Sequence, residues 1–335
     1  MSGLGPWAAV VDDVALRLER ATGAAAAKYA HLQHGLGLGL RSSARDLMEG
    51  ERVGSALFDE RSLSRPGARG ALAPSDRFGP FTQSPLERHV GTRRLTIDDE
   101  MSGMLRPTSN GVWITRDPDG ALYIYKPSHQ EFYGDNNWLP HENGQLAIRE
   151  VAGYRVFERL APARVPPTAL VDGPRGPGMA QLYVPLKRGK SATAYLEVQR
   201  AETAMGHFLI GNADGSRGNF RPRHDGDLEH HPGDDLVVYD LGHSFPESPD
   251  PLRGSGEEYE EDGTDFSLYS PFIDEWAGEE FPRSVVDSAD GITPDWMGSA
   301  LEDLRFSDDA IDRALERLDY VHRNHTIYRG GLAAS

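Results

Sequence analysis

An aspartate and an asparagine five positions apart, Asp214 and Asn219, lie in the Gly-rich turn Ile210–Phe220, just after a helix-like segment. Twenty-one residues beyond Asn219 the apolar run Leu236-Val237-Val238-Tyr239 delivers Asp240, followed by Leu241 and Gly242. Phosphoryl transfer demands little covalent work of a protein; it demands positioning and neutralisation of charge. Asp214 would orient an acceptor hydroxyl and take its proton. Asn219, neutral and one turn further on, would offer an amide oxygen to Mg²⁺. Asp240 would add the negative charge a hard cation needs while it bridges phosphate oxygens. Each residue alone serves equally well in an Asx turn. The joint spacing, ending in a strand that runs into Asp-x-Gly, favours the chemistry.

A triphosphate also needs a cation from the protein. Lys126 ends a strand-like run of apolar and aromatic residues, Ala121 to Tyr125, immediately before Pro127. Glu150, inside the helix-like segment that follows, is the acidic partner expected to hold it. A solvent-facing lysine and a helix-surface glutamate are the plain alternatives. Ser109-Asn110-Gly111 is small and polar enough to cover phosphates through backbone N–H groups, though an ordinary turn uses the same residues. Gln181 to Val184 stands where the strand region should hand over to helices, the place where adenine would read backbone groups. His224, His230 and His231, interleaved with Asp225, Asp227 and Glu229, admit a metal site but read better as a solvated hairpin tip. No Gly-x-Ser-x-Gly, His-Glu-x-x-His or Gly-x-x-x-x-Gly-Lys motif occurs, so hydrolase, metalloprotease and P-loop chemistries lack support.

The elements that must position these groups can be read in order. Trp7 to Gln33 has the apolar spacing of an amphipathic helix. Residues 35–95, rich in Gly, Arg, Ser and Pro, read as an irregular connector. Val112 to Thr115, the turn Asp117-Pro118-Asp119-Gly120 and Ala121 to Lys126 form a hairpin signal. Gln145 to Leu160 is a helix with Ile148, Val151, Ala152, Val156 and Leu160 on one face, stopped by Pro162 and Pro166-Pro167. Two more strands follow, Thr168–Val171 and Met179–Val184, then a helix over Ser191–Ile210 that Gly211 ends. Residues 243–290 read as an acidic, Pro-rich stretch that includes the run Glu257 to Asp262, and Ser307 caps a last helix carrying Ile311, Ala314, Leu315 and Leu318.

With 335 residues the chain has room for two packed lobes. Without cysteine there are no disulfides, thiolate nucleophiles or Cys-ligated zinc. No run of eighteen apolar residues and no signal pattern occurs, so a cytoplasmic location is expected. Fifty-two acidic against 35 basic side chains leave a net charge of −17, which argues against nucleic acid and anionic membrane as partners. An Mg-nucleotide needs only local positive charge, and its metal wants carboxylates.

Several motifs in order resemble one family. Tyr123-Ile124-Tyr125-Lys126-Pro127, Arg149-Glu150-Val151-Ala152-Gly153-Tyr154, Val165-Pro166-Pro167-Thr168, Gly176 to Gln181 and the 211–219 loop are similar to those of the actinobacterial phosphatidylinositol 3-/4-kinase-like proteins, relatives of lipid kinases and HipA-type kinases. Ser109-Asn110 resembles the same family's phosphate loop, and the likeness spans roughly residues 101–246. It implies an α+β, bilobal protein-kinase-like fold: an N-terminal extension over 1–100, a β-rich lobe over 101–186 and a helical lobe over 187–335. It implies ATP and Mg²⁺ as cofactors, Lys126 and Glu150 as the ion pair on the phosphates, Asp214 as the catalytic aspartate, and Asn219 and Asp240 as metal ligands. The chain departs from lipid kinases where Gly215-Ser216 replaces Arg-His after the catalytic aspartate, and where Leu241-Gly242-His243 stands in place of His-Gly-Leu. The acceptor expected is a hydroxyl of a peptide, protein or small metabolite, with the acidic 243–290 stretch hinting at a basic one. Transfer of AMP, adenylation of a carboxylate, or a catalytically inactive binding module are the alternatives.

Overall fold

The computed structural model describes residues 77–105, 110–132, 142–224, 231, 233–247 and 270–328. The expected helix over 7–33, the greater part of the connector, Ser109, the acidic run 257–262, and His230 with Asp225, Asp227 and Glu229 lie outside the described residues. The architecture mixes a five-stranded antiparallel sheet, a two-stranded ladder and a set of helices.

The chain enters through helix α1 (Pro85–Gly91), then edge strand β1 (Thr96–Ile97) and the short helix α2 (Asp99–Ser102). Strands β2 (Trp113–Arg116) and β3 (Leu122–Pro127) form the expected hairpin. Its turn is fastened by Asp117, whose Oδ1 accepts from Asp119 N at 3.0 Å and Ala121 N at 2.9 Å. Helix α3 (Gln145–Leu160) follows, then β4 (Thr168–Gly173) and β5 (Gly176–Leu182). Across the sheet the order is β1-β2-β3-β5-β4, which puts β3, the lysine strand, in the middle.

Alternation along the strands gives the sheet two apolar faces. Tyr123, Tyr125, Ala169, Val171 and Ala180 pack with Val90 and Leu95 on the α1 side. Met179, one residue from Ala180, instead joins a large cluster with the buried face of α3. Helix α4 (Glu197–Ile210) crosses that cluster and stops at Gly211, whose φ of 62° is the left-handed C-cap that a residue without Cβ adopts cheaply. Strands β6 (Phe220–Pro222) and β7 (Leu236–Val238) pair beside it. Helices α5 (Pro271–Trp276), α6 (Arg283–Asp290), α7 (Pro294–Asp303) and α8 (Asp308–Asn324) close the same core. Ser307 caps α8 by accepting from Ala310 N.

Two expectations are corrected, and one stretch gains structure that was not expected. The irregular connector ends before residue 85: Ser84 caps α1 through Glu87 N at 3.1 Å, Pro85 occupies its first turn, and Val90 and Leu95 are buried. The helix expected from Ser191 begins at Glu197, because Leu196 is extended and 44 % exposed and the 3₁₀ turn Ala192–Ala194 comes first. Within the acidic, Pro-rich stretch, residues 271–276 and 283–290 are helical. Pro271 follows the capping Ser270 and Pro282 is itself a cap, so prolines that read as loop signals are helix starts. Among the described residues no helix is long and apolar enough to cross a membrane.

Candidate active site

Lys126 lies on the central strand, with Ile124 two residues back on the same face and Tyr125 on the opposite one. Its Nζ is 2.9 Å from Glu150 Oε1 on α3 and 2.7 Å from Asp240 Oδ1, just past β7. The second oxygen of Glu150 accepts from Leu241 N at 2.9 Å. One carboxylate of α3 therefore grips both the lysine and the backbone next to Asp240. Asp240 has φ 60°, in the left-handed region that aspartate tolerates better than most side chains.

The β6–β7 ladder brings the second half of the site to the same place. Phe220 pairs with Val238, and Tyr239 N donates to Asn219 O at 3.0 Å, so Asn219 and Asp240 flank one end of that ladder. The loop between α4 and β6 is fixed from within. Asn212 Oδ1 accepts from Asp214 N at 3.0 Å, and Ala213 N donates to His243 O at 2.8 Å. Asn219 Nδ2 donates to Asp214 O at 2.8 Å and to Asp214 Oδ2 at 3.0 Å. Both contacts are acceptors, so the nitrogen must face Asp214 and the oxygen must face away. That oxygen, Asn219 Oδ1, is buried and has no hydrogen-bond partner. Buried polar atoms are almost always satisfied, so an idle amide oxygen here could serve as a ligand to a cation.

The electrostatics follow from one ammonium shared by a buried carboxylate, Glu150, and a part-buried one, Asp240. Burial pushes the Glu150 carboxyl up, against the pull of Lys126. For Asp240 burial acts in the same direction, but the charge and hydrogen bond of Lys126 more than offset it, and the group stays below its ordinary value. Asp214 is pushed up to about 7, first by burial and then by the charge of Asp240, against hydrogen bonds from Ser216 and Asn219. A carboxylate poised near neutrality can take a proton from an acceptor and return it.

Lys126, Glu150 and Asp240 stand in the wall of one cleft, with Asn110, Gly111, Pro127, Gln130, Glu131, Leu146, Ala147, Gly242 and His243. The structure thus brings together five of the residues singled out in the sequence: Lys126, Glu150, Asp214, Asn219 and Asp240. Asn110 and Gly111 line the cleft as well, but Asn110 Oδ1 accepts from Phe132 N at 2.7 Å and Gly111 N donates to Gln130 O at 3.0 Å. Gln181 and Val184 do not line it. Gln181 Nε2 is spent on Thr168 Oγ1 at 2.9 Å within the sheet, and Val184 packs on Leu186, Val237 and Tyr239. His224 N is bonded to Pro185 O, and His231 O accepts from Lys190 Nζ at 3.2 Å. No group of three or more His, Cys, Asp or Glu suited to a metal exists among the described residues. Asn219 and Asp240 are instead a sparse oxygen pair that could hold Mg²⁺, an ion that commonly keeps several of its waters. Glu131 escaped the sequence reading; it sits in a polar run, Ser128-His129-Gln130-Glu131, that carries no motif.

No family model matches the chain, and no curated protein matches it. Among solved structures it is similar to the crystal structure of the Helicobacter pylori proinflammatory kinase CtkA. The identity is 11 % and the TM-score 0.40, over 71 % of this chain and 93 % of that one. Likeness at this level says nothing of function, which has to come from the side chains.

Proposed function

We propose that the protein is an ATP- and Mg²⁺-dependent phosphotransferase of bilobal, kinase-like fold, acting on a hydroxyl of a peptide, protein or small metabolite. One observation carries the proposal: Lys126 bridges Glu150 and Asp240 while Asn219, at the same end of the β6–β7 ladder, keeps a buried amide oxygen without a donor. The motifs shared with the phosphatidylinositol 3-/4-kinase-like proteins support it.

In this proposal Lys126 receives the α- and β-phosphates, and Glu150 keeps the ammonium from swinging away. Asn219 Oδ1 and Asp240 would hold Mg²⁺, which would supply positive charge against the phosphate oxygens. Asp214, aimed by Asn219 Nδ2, accepts the proton of the attacking hydroxyl. Adenylyl transfer would use the same pocket with the nucleotide reversed, and the leaving group tells the two apart. The test is incubation with ATP, Mg²⁺ and a lysate of the host, followed by analysis of the nucleotide products. ADP is the expected product. Pyrophosphate, or no Mg²⁺-dependent turnover with any acceptor fraction, would overturn the proposal.

A further inference from the structure

Glu131 takes no part in the machinery described above, yet it is buried, 7 % exposed, in the wall of the cleft. Its Oε2 accepts from Gly144 N at 2.7 Å and from Leu146 N at 3.2 Å, and its Oε1 accepts from Ala147 N at 2.9 Å. These are the open donors at the start of the 16-residue helix α3. The N-cap, Gly144, has φ 92° and no side chain to cap with. A helix start of this kind attracts an anion because unpaired N–H groups and the positive end of the helix dipole coincide there. Here the anion is internal, and it comes from the chain leaving β3, the strand that bears Lys126.

A closed circuit of contacts results. Glu131 lies five positions after Lys126; Glu131 holds the first turn of α3; α3 carries Glu150; and Glu150 returns to Lys126 and reaches Leu241 N. We infer that Glu131 is a positioning residue: its carboxylate seats α3 at the depth where Glu150 meets Lys126 and the backbone beside Asp240 at once. This inference rests on the phosphotransfer proposal for its kinetic consequence, not for its structural one. It also means that α3 offers its N-terminus to no phosphate, since a side chain already fills it.

The test measures amide hydrogen exchange and kinetics in the full-length chain carrying Glu131→Ala or Glu131→Gln. A local cap would speed exchange only at residues 144–147. A positioning residue must also speed it at Leu241, which Glu131 does not touch. We expect about tenfold faster exchange at Leu241 in the alanine variant and about threefold in the glutamine variant, which keeps one acceptor oxygen. In turnover, kcat should fall at least tenfold in Glu131→Ala while KM for ATP moves less than about threefold, with partial rescue in Glu131→Gln. Exchange at Leu241 equal to wild type in both variants would overturn the inference. So would an unchanged kcat in Glu131→Ala. Should the alanine variant not fold, the glutamine variant decides by the same threefold criterion. Should the wild-type chain transfer no phosphate at all, the phosphotransfer proposal fails, and exchange at Leu241 still decides the role of Glu131.

Discussion

Asn219 shows best how one side chain can be divided between two tasks. Its nitrogen bonds Asp214 and its oxygen has no hydrogen-bond partner, so under the proposed function the two ends should separate on mutation. Asn219→Ala should lower turnover by about 10²-fold or more and raise the Mg²⁺ concentration needed for half-maximal rate, measured by titrating the metal at saturating ATP. Asn219→Asp keeps an oxygen for the metal and should retain more activity than alanine; equal losses would deny the oxygen its role. His207 gives a prediction about stability. It is fully buried on α4, with Nδ1 2.8 Å from Ser270 Oγ, and burial pushes its pKa down to about 3. The unfolded chain binds a proton at this histidine below about pH 6.5 and the folded chain does not, so its share of stability is complete above that pH and is lost on acidification. At pH 5 the loss should be about 2 kcal/mol. Comparing denaturant midpoints of wild type and His207→Phe from pH 7 to 5 isolates this share from carboxylates that shift the other way; parallel curves would contradict it. Asp214, Asn219 and Asp240 were legible in the sequence because spacing along one loop and strand defines them. Glu131 was not, because its partners are N–H groups 13 to 16 residues away, and no local pattern records that.

Helix α3 is the element on which the site turns, and it is held at several points. Gly153 faces Leu241 so closely that an added Cβ would lie 2.8 Å from Leu241 Cδ1 and 2.9 Å from its Cβ. Gly153→Ala should therefore push Leu241, and Asp240 with it, away from Lys126. We expect at least about a tenfold loss of kcat/KM with a smaller effect on melting, because only the contact beside the site must shift. On its other side α3 carries Arg155, buried against Glu87 of α1 at 2.8 Å, Ala300 O at 2.6 Å and Asp303 at 2.7 Å. Glu87→Ala strips a buried guanidinium of its buried partner and should cost about 3–5 kcal/mol in chemical denaturation. A cost below about 1 kcal/mol would mean that α1 is a mere appendage. The same contacts explain what the sequence concealed. Helix α3 was legible to its ends because sixteen residues sustain a period. Helix α1 has seven, and its security comes from an arginine 68 positions away. Helices α5 and α6 were hidden behind prolines that serve as caps and first-turn residues.

Across the whole molecule, charge would set the terms on which the proposed nucleotide enters. The chain carries −17, and the cleft sets one lysine against Glu131, Glu150 and Asp240. A free triphosphate would meet net repulsion there, so binding of a fluorescent ATP analogue should weaken at least about tenfold when EDTA removes divalent cations, and weaken little on adding monovalent salt at constant Mg²⁺. Affinity unchanged by EDTA would place the nucleotide elsewhere. The order of hairpin, helix, two strands, helix and loop was readable over residues 101–246 because each element is local. How the β6–β7 ladder sets Asn219 beside Asp240 is a matter of tertiary pairing, which spacing along the chain does not reveal. The central claim is that these groups move the terminal phosphate. It is tested most directly by incubating wild type, Asp214→Asn and Asp240→Asn with γ-labelled and, separately, α-labelled ATP plus host lysate, after equal melting curves show that all three are folded. The account predicts γ label on an acceptor with wild type, no α label, and a loss of several orders of magnitude in both variants. Label from the α position, or undiminished transfer by Asp240→Asn, would contradict it.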